Sequence, residues 1–416
     1  MRRREFLGLM AATCASYLVP HCRAWAIKSD QPNNDSKKLI VVILRGGVDG
    51  LNVIVPHGDP EYYAIRSIIA VPSASLFNLD GHFGMHPALS ALQPFWQDKT
   101  LAFVHASGSP DPTRSHFDAQ DYLESGVPGS KMVSTGWLNR LIAQLPAKNS
   151  PVRAISIGPT LPRIFSGPAT VATVAPETKD HPMVVDHPAI QKAFDQLYLG
   201  RKGDELSKVY GEALAAHKEV NQALDIAQKQ DEQMRREQII ANRGAPLPRN
   251  YNYFGKQIAA LFRTDPSVQV AFVDFGGWDT HINQGAAQGQ LANHLTPLAA
   301  GLADLAHGLG PLYKDTQIIV MSEFGRTAHE NGNGGTDHGH GNVMWLLGGT
   351  IPGGKVYARW AGLKTAGLYE SRDLAATTDF RSVLCYALTD HMRLSTTALA
   401  AIFPEFQPTT NPFVRA

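Results

Sequence analysis

Lys38-Leu39-Ile40-Val41-Val42-Ile43-Leu44-Arg45-Gly46-Gly47-Val48-Asp49-Gly50, read as a strand over 38–44 and the turn that ends it, decides the fold. Six apolar residues follow one another without a polar break. A strand with one wet face alternates, whereas an unbroken apolar run is a strand buried on both faces, as in a parallel sheet. The glycines then let the chain turn sharply, and Asp49 stands at the strand's mouth. Residues 101–105, 268–275 and 317–321 repeat the pattern, each run closing on glycine and polar residues. Residues 343–347 and 355–358 read as later, shorter strands. Between them, 87–96, 116–124, 250–262, 288–309 and 379–388 carry apolar residues at helical spacing. The chain is therefore expected to be α/β, a mainly parallel central sheet flanked by helices. In such sheets the loops leaving the carboxyl ends of strands build the ligand site. Residues 185–243, rich in Lys, Glu, Gln and Ala, read either as a helical insertion beside the sheet or as two ordinary surface helices.

The amino-terminal residues give an expectation about location. Arg3-Arg4-Glu5-Phe6-Leu7 has the twin-arginine pattern, residues 7–19 are moderately apolar, and Ala24-Trp25-Ala26 has the spacing that a signal peptidase cuts after. The apolar stretch is shorter than the roughly 20 residues a bilayer span needs. A signal peptide over 1–26, passage through the twin-arginine translocase and a periplasmic single domain over 27–416 are expected, with no transmembrane segment in the mature part. The formal charge of +1 gives no basic field for nucleic acid. Cys14 and Cys22 fall in the signal and leave Cys385 alone, so the mature chain has neither a disulfide nor a cysteine zinc cluster.

Five segments carry candidate chemistry. Asp49 is either a cation ligand or a turn residue. In Gly277-Trp278-Asp279-Thr280-His281 the Asp and His lie two apart, project to one side of an extended segment and can share a metal. Ser322-Glu323-Phe324-Gly325-Arg326-Thr327 brings Glu323 to the same sheet edge. Arg326 there either clamps an anionic ester in forked geometry or pairs with Glu323. Gly335-Thr336-Asp337-His338-Gly339-His340-Gly341 sets Asp337, His338 and His340 among glycines, a donor set suited to zinc, manganese or iron. Ser115, in Thr113-Arg114-Ser115-His116-Phe117-Asp118, is either a nucleophile at a helix N-terminus or that helix's cap, with Asp118 three residues on. His57, His86 and His105 read as structural, and Cys385 as core.

The order of these motifs resembles a twin-arginine-exported bacterial family known only as a domain of unknown function and often labelled sulfatase-like. That family looks like a distant branch of the alkaline phosphatase superfamily. The resemblance implies an alkaline-phosphatase-like fold and a metal-dependent hydrolase of phosphate or sulfate esters. It implies Asp49, Asp279, His281, Glu323, Asp337, His338 and His340 around one or two divalent ions, zinc or manganese rather than calcium. Ser115, or else Thr113, would be the nucleophile, with Arg114 and Arg326 on the anion. Three departures stand out. The superfamily's Asp-x-x-x-His is here Asp279-Thr280-His281, and its later Asp-His is Ser322-Glu323-Phe324. The position from which sulfatases make formylglycine, two residues before Pro112, is Pro110. The competing class is a non-catalytic exported binding or assembly protein that keeps the fold. A redox protein finds no dinucleotide, haem or cysteine signature.

Overall fold

The computed structural model describes residues 37–146, 153–174, 238–248 and 251–407. The opening run forms β1 (Lys38–Leu44), with every residue buried. Ile40, Val42 and Leu44 enter one core while Leu39, Val41 and Ile43 enter another. That two-sided burial is why the run does not alternate. The first core is closed by α3 (Tyr251–Thr264) and α4 (Gln290–Leu309), through Phe254, Ile258, Leu295 and Leu302. The second is closed by α2 (Trp137–Gln144), α5 (Phe380–Tyr386) and α6 (Thr396–Ile402), through Leu138, Leu141, Val383 and Ile402.

The remaining strands of the central sheet are β2 (Leu101–Gly108), β3 (Ala154–Ile157), β4 (Ala172–Val174), β5 (Val270–Phe275), β6 (Thr316–Met321), β7 (Asn342–Gly348), β8 (Lys355–Tyr357) and β9 (Thr378–Asp379). Among the described residues the sheet runs β8-β2-β7-β6-β1-β5-β3-β4, with β9 added to β2. β1 pairs in parallel with both β5 and β6, so Leu44 stands beside Phe275 and Ile43 beside Met321. The loops that follow therefore leave from one edge. β7 alone runs antiparallel to its neighbours, β2 and β6. Its amino end thus reaches the edge where the other strands have their carboxyl ends.

The mainly parallel α/β architecture matches the sequence expectation, and β1 matches residue for residue. Strands β3, β4 and β9 and helices α2 and α6 were not expected, being too short for their periodicity to register. Residues 87–96 fold as a 3-10 turn (Pro87–Leu92) followed by a short α-helix (Gln93–Gln97), since Pro94 lacks the N–H needed to run one helix through. The expected insertion over 185–243 lies outside the described residues, except that 238–242 are helical. The expected signal, 1–26, also lies outside them. No helix among the described residues is long and apolar enough to cross a membrane.

Helices α3 and α4 approach closely at two glycines. A Cβ on Gly301 would lie 1.7 Å from Cδ1 of the Tyr251 ring, and one on Gly255 would lie 2.8 Å from the Gly301 carbonyl oxygen. Gly301→Ala would favour an isolated helix by about 1 kcal/mol. Here it is expected to destabilise the protein by about 1–3 kcal/mol through overpacking. Urea denaturation checks the sign, and an unchanged midpoint would contradict this helix contact.

Candidate metal centre

Four strand-edge segments converge. Asp279 follows β5, Glu323 follows β6, and His338 precedes β7. His116 opens α1 (His116–Ser125), which follows β2. Ser115 caps α1, and Gly126 ends it in the left-handed conformation at φ 70°. This leaves the His116 side chain buried against the sheet edge, where His116, Asp279 and His338 offer donor atoms all within 4.8 Å of one another. His338 Nε2 lies 3.0 Å from Nε2 of His116 and 3.0 Å from Nε2 of His281. Asp279 Oδ1 lies 2.9 Å from His281 Nε2, 3.3 Å from His338 Nε2 and 3.6 Å from His116 Nε2.

The opposite ring nitrogens fix the protons. His338 Nδ1 sits 2.8 Å from the Arg114 carbonyl oxygen, which can only accept. His116 Nδ1 faces Glu323 Oε1 at 2.8 Å, and His281 Nδ1 faces Asp337 Oδ1 at 3.0 Å. Each neutral imidazole therefore carries its hydrogen on Nδ1 and turns the Nε2 lone pair toward the others and toward a carboxylate. Such an arrangement is repulsive unless a cation lies among the lone pairs, and acceptors on the far nitrogen are how metal-ligating histidines are commonly held. Donors about 2.1 Å from a tetrahedral ion would stand ~3.4 Å apart, close to the spacings here. Asp279 Oδ2, buried without a hydrogen-bond partner, supplies a further open lone pair.

Without an ion, protons must serve. Burial alone would lower His116, but hydrogen bonds to Asp279 and Glu323 outweigh it and raise the imidazole to about 9. Glu323 would be raised by burial, yet its bond with His116 brings it down to about 2. Burial likewise opposes ionisation of Asp279, and Arg326 with the histidines drives it far below the carboxylate range. His338 is lowered, chiefly by burial.

The other expected residues fall around this group. Glu323 and Asp337 orient histidines, and Glu323 also accepts from Gly46 N at 2.8 Å and Gln120 Nε2 at 2.9 Å. Glu323 and Arg326 do not pair with each other. Instead Arg326 donates to the carbonyl oxygens of Gly46, Gly47, Trp278 and Thr336 and to Asp279. Asp49 stands apart, its Oδ2 held at 2.6 Å by both Arg66 and Gln284. His340 stacks on Tyr369, with ring centroids 4.5 Å apart. The Arg114 guanidinium is held by Asp373 at 2.6 Å and Glu370 at 2.7 Å. Ser115 is exposed, and its Oγ accepts from Asp118 N at 3.5 Å, as a cap does. Sequence reasoning passed over His116. The signal was present, an imidazole one residue beyond the chosen Ser115 at the start of a helix that follows a buried strand.

One pH dependence follows for the metal-free protein. His116 is raised above its ordinary 6.5, so its contribution to stability is full below about 6.5 and lost as pH rises through about 9. Chelator-treated protein should melt at progressively lower temperature from pH 6.5 to 9. His116→Ala should flatten that slope, and equal slopes in both proteins would refute the coupling.

Comparison with known proteins adds a family. No curated protein matches the chain. Among solved structures, Ps i-CgsB in complex with k-i-k-neocarrahexaose is similar at 12% identity over 78% of this chain and 68% of that one, with a TM-score of 0.36. The lipoteichoic acid synthase LtaP from Listeria monocytogenes is similar at 10% identity over 85% and 78%, with a TM-score of 0.35. These likenesses are slight, and the fold stands on the topology above. The family model described as Protein of unknown function (DUF1501) matches residues 96–403, most of the chain, and the protein belongs to that family.

Proposed function

We propose that this protein is an exported, metal-dependent hydrolase of phosphate or sulfate esters. In this reading His116, Asp279 and His338, joined by His281, hold one divalent ion. The observation that carries it is the convergence of three Nε2 lone pairs and a carboxylate, each imidazole having an acceptor on its Nδ1. Nitrogen-rich donors with a single carboxylate suit zinc or manganese better than calcium, which takes oxygen. Bound there, the ion would supply Lewis acidity toward an ester oxygen and a lowered pKa for water. The chain's own residues do the rest. Glu323, Asp337 and the Arg114 carbonyl fix the ring orientations, and Arg326 keeps Asp279 ionised. The exposed Ser115 hydroxyl, next to His116 in sequence, is the side chain available as a nucleophile.

A second reading, an exported binding or assembly protein, draws on a different observation. The guanidinium groups of Arg114 and Arg326 are both engaged by carboxylates or carbonyls, so neither is free to clamp an anion. One series of variants separates the readings. Elemental analysis should find about one equivalent of metal in the wild type, and His338→Ala and Asp279→Asn should lose most of it along with aryl phosphatase or sulfatase turnover. Ser115→Ala should keep the metal and lose turnover by about 10²-fold or more if its hydroxyl attacks. Metal retained with no ester hydrolysed would leave the binding protein, and metal absent from the wild type would end the hydrolase reading.

The export reading rests on Arg3-Arg4 and the leader that follows. Replacing both arginines by lysine should leave the protein in the cytoplasm. Cell fractionation reads this, and undiminished periplasmic protein would refute the route.

A further inference from the structure

Beside the metal centre, at the carboxyl ends of β3 and β5, lies a cavity of about 190 Å³ whose lining includes Arg45, Ser156, Gly158, Thr160, Arg243 and Asp274. Its floor is a buried guanidinium. Arg45, with its side chain only 3% exposed, donates through Nε to Asp274 Oδ2 at 2.6 Å and through Nη1 to Glu124 at 2.8 Å and Gln120 at 2.9 Å. Arg45 Nη2 has no hydrogen-bond partner among the described residues, and it is not one of the buried atoms sealed from solvent. It therefore opens on the cavity. Asp274 Oδ1 likewise has no side-chain partner among the described residues, and burial pushes the Asp274 carboxyl up against the opposing pull of Arg45 and of its own backbone N–H. A nearly buried donor and an acceptor thus stand side by side with no other side chain among the described residues to satisfy them.

We propose that this cavity binds a neutral, hydroxyl-rich ligand, a single sugar ring or short polyol, and receives the alcohol portion of the ester; the latter part rests on the hydrolase reading above. Charge selects neutrality. Arg45 and Arg243 are offset by Glu124 and Asp274, and Arg163 by Asp121 at 3.0 Å. An anion would meet the open Asp274 oxygen, and a cation would meet Arg45 and Arg243. A hydroxyl accepts from Arg45 and donates to Asp274 at no charge penalty. The volume is below the ~300–1,000 Å³ of sites for drug-sized ligands, which limits the occupant to about one ring. An apolar face stands nearby. Phe117 is 59% exposed, with the Arg243 guanidinium 5.5 Å from its ring, and suits the C–H face of a sugar. The cavity also adjoins the metal centre through side chains. Gln120 accepts from Arg45 and donates to Glu323, which holds His116.

The test measures binding without turnover. Saturation-transfer NMR on the full metal-loaded chain would use methyl α-glucoside, methyl β-galactoside and glycerol, with inorganic sulfate as the charged control. At least one neutral probe should bind, and sulfate should not displace it. A Cβ at Gly158 would meet only the Thr160 carbonyl oxygen, at 3.9 Å, so Gly158→Leu is expected to fold while its side chain fills the cavity and removes the signal. Asp274→Asn should weaken binding by about tenfold with metal content unchanged, a loss of the size expected for one charge-assisted hydrogen bond. No signal from any neutral probe, a signal that survives in both variants, or displacement by sulfate would overturn the proposal. Sugar binding without ester hydrolysis would support the cavity and remove the hydrolase. Hydrolysis of aryl esters without sugar binding would do the reverse.

Discussion

The site edge depends on the ion pair between Arg326 and Asp279, both almost wholly removed from solvent. The guanidinium spends its other hydrogens on carbonyl oxygens after β1 (Gly46, Gly47), after β5 (Trp278) and before β7 (Thr336). One planar cation thus joins three loops that approach from different parts of the sequence, and the forked geometry of arginine makes this possible where a lysine could reach fewer acceptors. The glycines around it are a consequence. A Cβ on Gly339 would fall 2.3 Å from the Arg326 backbone, and one on Gly325 would fall 1.8 Å from the Gly341 carbonyl oxygen. Backbones have to come this close for one side chain to serve them all.

The same economy places the histidines. Asp279 is held ionised by Arg326, and its Oδ1 faces imidazoles whose other nitrogens are anchored by residues from separate loops, Glu323, Asp337 and the Arg114 carbonyl. Arg114 and Glu323 therefore act on the histidines in a way their residue types do not announce. One gives a backbone oxygen to His338, and the other a carboxylate oxygen to His116.

Burial of whole strands was legible in the sequence because six consecutive apolar residues have few other uses. Which residues meet was less so. His281 and His338 stood out among glycines, where an apolar core explains nothing, and the structure brings them within 3.0 Å. Asp49 looked equivalent, and the difference lies in Arg66 and Gln284, distant partners whose arrival no local pattern encodes. His116 was hidden because the capping pattern around Ser115 accounts for the local sequence without it. Contacts such as His116 with Glu323, 207 positions apart, are properties of the topology and cannot be read from spacing.

The reversed direction of β7 bears on how such a site is assembled in time. β1 must find β5 across more than two hundred residues, with Leu39 beside Val270, whereas β6 and β7 are neighbours in both sheet and sequence. Arg326 and His338 are already bridged within the loop that joins those two strands, residues 322–341. Loop-closure entropy favours such near contacts, and long-range parallel pairing is slow. The loop between β6 and β7 can thus close before the sheet is complete, presenting the arginine and one imidazole as a preformed half onto which Asp279 and His116 dock last. The centre would then report completion of the sheet's middle, since its donors meet only once β2, β7, β6, β1 and β5 are paired.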